Sequence, residues 1–136
     1  MINVLLVDDY PIMQQLLRDI LQSYPDICVV GEAQNGEEAV LQCMKLKPTV
    51  VIIDINLPTI SGMEATRLIK LQRPSTVVLG LTAGVPDQTV TAMRDAGAAA
   101  VLSKGDLLNA LYPTIIEAIR SSAKPAFASA SASPKH

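Results

Sequence analysis

Short apolar runs alternate with segments of helical periodicity along almost the whole chain, and no other feature restricts its fold so much. Residues 2–7, 27–33, 50–53, 76–81 and 99–102 read as strands. They are brief, rich in Val, Ile, Leu or Ala, and bounded by Pro, Gly, Asp or Asn. After the first, Pro11 suits the opening turn of a helix, and Met13, Leu16, Leu17, Ile20, Leu21 and Tyr24 recur at spacings of three and four. Pro25-Asp26 ends it. Asn35-Gly36-Glu37-Glu38 reads as a cap followed by acids in the first turn of a helix to about 46. Further helices are expected over about 62–71, over 86–96 before Gly97, and over 106–121 with Leu108, Leu111, Ile115 and Ile119 on one face. Strands that are apolar nearly throughout must be covered on both faces. Five β/α units of this kind therefore imply an α/β fold, with a parallel sheet and right-handed crossovers.

The chain has 136 residues, about half of them apolar, which suits one domain with a full core. That domain is expected over residues 1–121. Residues 122–136, rich in Ala, Ser and Pro without apolar periodicity, read as a flexible tail or linker. The net charge is −2 and there is no basic stripe, which argues against nucleic-acid or membrane-surface binding by this domain itself. Aromatics are too few for stacking platforms. Cys28, Cys43 and the single histidine, His136, cannot compose a Cys/His metal site. The first ten residues lack the pattern of a signal peptide, and apolar runs are too short to span a bilayer. A cytoplasmic protein with reduced thiols is expected.

Polar functional groups sit where the strands end. Asp8 and Asp9 follow the first strand, Asp54 the third, Thr82 the fourth, and Lys104 follows the fifth closely. Asn35, after the second, is better explained as a helix cap. In open parallel sheets, ligands bind beyond the carboxyl ends of the strands, near the point where strand order reverses. Each residue alone has an ordinary explanation: Asp and Thr cap turns and helices, and lysines are solvated. Four such strand ends on one rim make a constellation. Three crowded carboxylates need a counter-charge. A hard divalent ion with oxygen ligands and several waters, Mg²⁺, fits. Such an ion suits the pocket to a phosphoryl group, and carboxylates are known nucleophiles in phosphoryl transfer. Lys104 and the Thr82 hydroxyl could contact phosphoryl oxygens.

Four segments carry a resemblance: VLLVDD (4–9), VVIIDINLPTISGMEA (50–65), LGLTAG (79–84) and GAAAVLSKGD (97–106). In order and at these separations, they resemble the receiver domain of two-component response regulators. The middle segment is the most specific, with Pro58 and Gly62 four and eight residues after Asp54. The resemblance spans about 1–121. It implies a flavodoxin-like (βα)5 doubly wound five-stranded sheet in the order 2-1-3-4-5. It also implies that Asp54 accepts phosphate from a sensor histidine kinase. Asp9 and Asp54 would ligate Mg²⁺, Asp8 would act mainly through water, and the backbone carbonyl of Asn56 would complete the set. Lys104 would contact the phosphoryl group. Thr82 would turn toward it and couple it to the surface of the fourth helix, fifth strand and fifth helix.

The Lys104-Gly105 pair and GEAQNGEEAV (31–40) resemble the NarL/LuxR-type regulators. These carry a C-terminal DNA-binding domain after a linker, so the tail fits a truncated linker, with a stand-alone receiver as the alternative. Homodimers would form through the first and last helices or through the fourth-helix surface. Val101 departs from the family, which often has Tyr or Phe there, and Gly105 stands where a cis proline is common, so a trans bond is expected. A haloacid-dehalogenase-like phosphatase would need an acid at Asn56. A flavodoxin-like FMN binder would need a Ser/Thr/Gly-rich loop in place of Asp8-Asp9-Tyr10. A degenerate receiver acting without phosphorylation is opposed by the complete set Asp8, Asp9, Asp54, Thr82 and Lys104.

Overall fold

The computed structural model describes residues 1–84 and 87–122. The strands β1 (Ile2–Val7), β2 (Ile27–Ala33), β3 (Val50–Asp54), β4 (Val77–Thr82) and β5 (Ala100–Ser103) pair in parallel in the order β2-β1-β3-β4-β5. The helices α1 (Pro11–Leu21), α2 (Gly36–Leu46), α3 (Gly62–Gln72), α4 (Asp87–Ala96) and α5 (Leu107–Ser122) connect or follow them. The five expected β/α units and the expected strand order are both found. The tail proposed for 122–136 lies, after Ser122, outside the described residues, as does the expected α4 start at Pro86.

Strand side chains alternate between two faces, and each face carries its own core. On one side Val4, Leu6, Val50, Ile52, Leu79 and Leu81 pack with Leu17, Leu21, Leu111 and Ile115 of α1 and α5. On the other, Leu5, Val7, Val51, Ile53 and Val78 pack with Ala39, Cys43, Ala65, Ile69 and Met93 of α2, α3 and α4. β3 and β4 are buried along their whole length, and so is β1 after its first two residues. The edge strands β2 and β5 are mostly half-buried. Burial on both faces thus selects the three central strands, and these carry the carboxylates and Thr82.

Caps account for several boundaries. The Asn35 side chain accepts a hydrogen bond from Glu38 N at 2.8 Å, while Glu38 Oε1 accepts from Gln34 N at 2.7 Å. This is a capping box in all but register, and it confirms the expected role of Asn35. Ser61 caps α3 through Glu64 N at 3.1 Å. Gly97 stops α4 in the left-handed region, at φ 117°.

Two readings of α-helical faces need correction. In α5 the buried stripe is Leu107, Leu111, Ile115 and Ala118, whereas Leu108 is 74% exposed. A 3-10 turn over Lys104–Asp106 precedes the helix and rotates its start by about one residue. In α1, Leu16 points outward and Gln14 takes its place in the buried face. All described peptides are trans, as expected at Gly105. No described helix is long and apolar enough to cross a membrane.

The two cysteines differ sharply in environment. Cys43 is fully buried on α2, and burial pushes its thiol up to about 12, whereas Cys28 is exposed on β2. A thiol reagent at neutral pH is therefore expected to modify one equivalent, Cys28, in the native protein. Cys43 should react only on unfolding, because the thiolate is the reactive form. Peptide mapping after brief labelling checks this.

Candidate functional site

The site is built by strand register. Val7 of β1 pairs with Ile53 of β3, so the next residues, Asp8 and Asp54, leave the sheet side by side. Asp54 pairs with Leu81 of β4, and Thr82 with Ser103 of β5, which places Lys104 one residue beyond the rim. β1 and β3 are neighbours in the sheet although β2 lies between them in sequence, so the site sits where the winding reverses.

The structure gathers four of the expected residues closely. Carboxylate oxygens of Asp8, Asp9 and Asp54 lie within 4.8 Å of one another. Lys104 Nζ donates to Asp54 Oδ2 at 2.9 Å and stands 3.4 Å from Asp8 Oδ2. The other Asp54 oxygen accepts from Asn56 N at 2.9 Å, and Asp8 Oδ1 accepts from Tyr10 N at 2.9 Å. One backbone N–H and one ammonium thus hold the Asp54 carboxylate, one at each oxygen. The Tyr10 ring also flanks the ammonium, with its centroid 5.9 Å from Lys104 Nζ, within cation–π range.

Charge is unevenly balanced here. Burial raises the pKa of Asp8, and the nearby Asp54 adds to this. The Tyr10 N–H and the Lys104 ammonium oppose it without cancelling it. Burial disfavours the Lys104 ammonium, but the Asp54 hydrogen bond and the charges of Asp54 and Asp8 outweigh it and hold Lys104 above the ordinary lysine value. One ammonium faces three carboxylates. Asp8 Oδ2 and Asp9 Oδ1 are buried without a hydrogen-bond donor. Orphaned carboxylate oxygens in an all-oxygen cluster are what a hard divalent cation satisfies, so the residues present fit such an ion.

Thr82 and Asn56 make hydrogen bonds on which the sequence reading is silent. Thr82 is buried beside the site, but its hydroxyl donates to the Gly84 carbonyl, so in this conformation it makes no hydrogen bond to Asp54. Asn56 contributes its backbone N–H to Asp54, a bond the sequence reading did not foresee. Gln14 was missed altogether. It is 5% exposed on α1, and its amide donates to the backbone carbonyls of Asp8 at 2.8 Å and Ala33 at 2.9 Å. A signal was available, since Gln14 lies three residues before Leu17 and seven before Leu21, in line with the apolar stripe.

A family model, the response regulator receiver domain, matches residues 4–115. The chain belongs to this family. The receiver is 40% identical over 121 residues to the response regulator UvrY of Escherichia coli, covering 89% of the chain and 54% of the relative. It is 38% identical over 115 residues to the response regulator GacA of Pseudomonas protegens, covering 85% and 54%. To a protein-glutamate methylesterase/protein-glutamine glutaminase of Syntrophus aciditrophicus it is 42% identical over 106 residues, covering 76% and 30%. Among solved structures, the response regulator domain of Thermotoga maritima CheB superposes with a TM-score of 0.83 at 31% identity, covering 92% of the receiver and 99% of that chain. The receiver thus spans about half, or less, of the length of these curated relatives.

The loop from β3 to α3 explains the spacing that made the middle segment specific. A Cβ on Gly62 would lie 2.2 Å from the Asp54 carbonyl oxygen and 2.7 Å from Ile55 Cα. Both obstacles are backbone and cannot rotate away, so only glycine lets α3 start against the end of β3. Gly62→Ala is expected to cost about 3 kcal/mol through overpacking, read as a lower urea midpoint with an unchanged slope.

Asp8 supplies a second prediction. Its folded-state pKa is raised, so the folded chain binds that proton more tightly than the unfolded chain does. The contribution of Asp8 to stability is then greatest at low pH and is lost as pH rises from the ordinary Asp value through the folded one. Asp8→Asn is expected to raise the melting temperature of the metal-free receiver by a few degrees at neutral pH, for a gain of about 1 kcal/mol. The difference should shrink toward acid pH, as Asp8 itself becomes protonated. Thermal melts of both proteins across pH, with chelator present, check this.

Proposed function

We propose that Asp54 accepts a phosphoryl group from a sensor histidine kinase in a Mg²⁺-dependent reaction, and that Thr82 and Lys104 turn this into a change of surface. One observation carries the reading. The Asp54 carboxylate is held at one oxygen by Lys104 Nζ at 2.9 Å and at the other by Asn56 N at 2.9 Å, beside two carboxylates with orphaned oxygens. A bound Mg²⁺ would neutralise phosphoryl oxygens as charge develops on them. Asp9 and Asp54 would hold it, with Asp8 acting mainly through water and the Asn56 carbonyl completing the protein ligands. The Asp54 oxygen forms the new P–O bond while the P–N bond of the phosphohistidine breaks. Lys104 stays as counter-charge to the transferred group, and the same pocket would serve hydrolysis of the acyl phosphate.

Thr82 now bonds to Gly84. Turning its hydroxyl to a phosphoryl oxygen exchanges that bond for a charge-assisted one, which biases a two-state equilibrium toward an altered α4–β5–α5 surface. The receiver covers only 54% of the response regulators UvrY and GacA, and this, with the NarL/LuxR-like Lys104-Gly105 and segment 31–40, supports an output on DNA through a C-terminal domain joined by residues 122–136. Exposed Ile12 and Leu16 on α1 and Leu108 on α5 support pairing of two copies through the first and last helices. The complete acidic set with its lysine speaks against a receiver that works without phosphorylation.

Incubation with a small acyl phosphate and Mg²⁺, followed by intact-mass measurement, is the direct test. A gain of one phosphoryl group is expected, absent with chelator and absent in Asp54→Asn. A gain that survives the substitution, or no gain in the parent protein, overturns the assignment.

A further inference from the structure

The carboxylates of Asp8 and Asp9 hang on a turn that belongs neither to the sheet nor to a helix. β1 pairs with β2 as far as Val7 opposite Ala33, and α1 begins at Pro11. Within the turn, Asp8 N donates to the Ala33 carbonyl at 3.1 Å, and the Asp8 side chain accepts from Tyr10 N. The Asp8 carbonyl, directed to the interior, is held by Gln14 Nε2 at 2.8 Å. The second N–H of the same amide reaches the Ala33 carbonyl at 2.9 Å. One planar NH₂ group therefore ties the last carbonyl of β2 to the first carbonyl beyond β1.

This bond matters because a peptide is rigid and planar. Holding the Asp8 carbonyl fixes the plane that runs on through the nitrogen and Cα of Asp9, and so places the atom from which the Asp9 side chain leaves. Both hydrogen bonds of the Gln14 amide go to backbone carbonyls, not to a carboxylate. It lies on the α1 face shared with Leu17 and Leu21, where an apolar residue of the same size would fill the space. Such a residue would leave the Asp8 carbonyl buried without a donor, free to rotate in search of one.

We propose that Gln14 is a positioning residue for the acidic pocket, holding the Asp8–Asp9 peptide so that both carboxylates converge on one cation. The inference rests on the reading of that pocket as a Mg²⁺ site. It makes Gln14 an outer partner of the ligands, a class of residue whose loss typically weakens metal binding 10- to 100-fold.

The test is Gln14→Met, which keeps length and volume and removes both donors. Mg²⁺ is titrated calorimetrically into the full chain, and the rate of phosphorylation by a small acyl phosphate is followed against Mg²⁺ concentration. About a tenfold loss of Mg²⁺ affinity is expected, with an equal rise in the half-saturating Mg²⁺ concentration and a much smaller change in the plateau rate. A glutamine that only closes the β1–β2 ladder would lower the melting temperature of the metal-free protein and leave the Mg²⁺ affinity of the folded protein at the parent value; that result overturns the proposal. Should the methionine variant not fold, Gln14→Asn, which keeps the amide but withdraws it by one methylene, is held to the same expectation. A parent protein that binds no Mg²⁺ removes the pocket reading and this inference together. A parent that binds, with variants that bind equally well, removes this inference alone.

Discussion

Three carboxylates crowded around one ammonium set the terms for the rest of the structure. Asp8, Asp9 and Asp54 repel one another, and Lys104 compensates only part of that charge. A flexible chain would relieve the repulsion by moving apart. This chain cannot, because Asp54 is the last residue of a strand buried on both faces and Asp8 follows another. Hydrophobic burial of Val4 to Val7 and Val50 to Ile53 therefore does more than stabilise the fold. It holds like charges at a separation they would not choose, and makes the site a receptor for added positive charge.

The same logic explains where glycine and strain occur. α3 must start within contact of the Asp54 backbone, which only Gly62 permits. α2 must start against Ile60 of the same loop, with Gly36 at the contact. Between these two close approaches, Thr59 adopts φ 69°, an unfavourable conformation for a β-branched residue. The β3–α3 loop is thus pinned at both ends by backbone contacts, and the strain falls on its exposed middle.

Much of this was legible in the sequence because it depends on residue type at strand ends. The apolar alternation showed which segments are central, and Asp8, Asp9, Asp54, Thr82 and Lys104 followed from where those runs stop. What was not legible depends on rotation and hydrogen-bond direction. Leu107 and Leu108 are adjacent leucines after a 3-10 turn, and which of them is buried depends on the helix's rotation about its axis. The Thr82 hydroxyl donates to the Gly84 carbonyl, a partner that sequence does not indicate. Gln14 stands in an apolar stripe as a polar exception. Its meaning appears only when the carbonyls of Asp8 and Ala33, distant in sequence, are found at its amide.

The path from Thr82 outward is shaped by two small residues. Gly80 lies two residues before Thr82 in β4, on the same face, and a Cβ there would meet Met93 Cε at 2.7 Å and Val101 Cγ2 at 3.5 Å. Met93 therefore occupies the space over the sheet beside Thr82, and Val101 stands at its edge. Met93, with Ile55, Met63, Thr82 and Thr89, lines a cleft of about 480 Å³ next to the site. A ring at 101 would report a turn of Thr82 by swinging as one rigid plate; valine, stiff at its single rotor, cannot. In this receiver the side chain over Gly80, on the Thr82 face of β4, is an unbranched methionine on α4, able to change rotamer without a ring-sized slot. On the proposed function, a turn of Thr82 would act first on the packing of α4 against β4, and through it on the α4–β5–α5 surface.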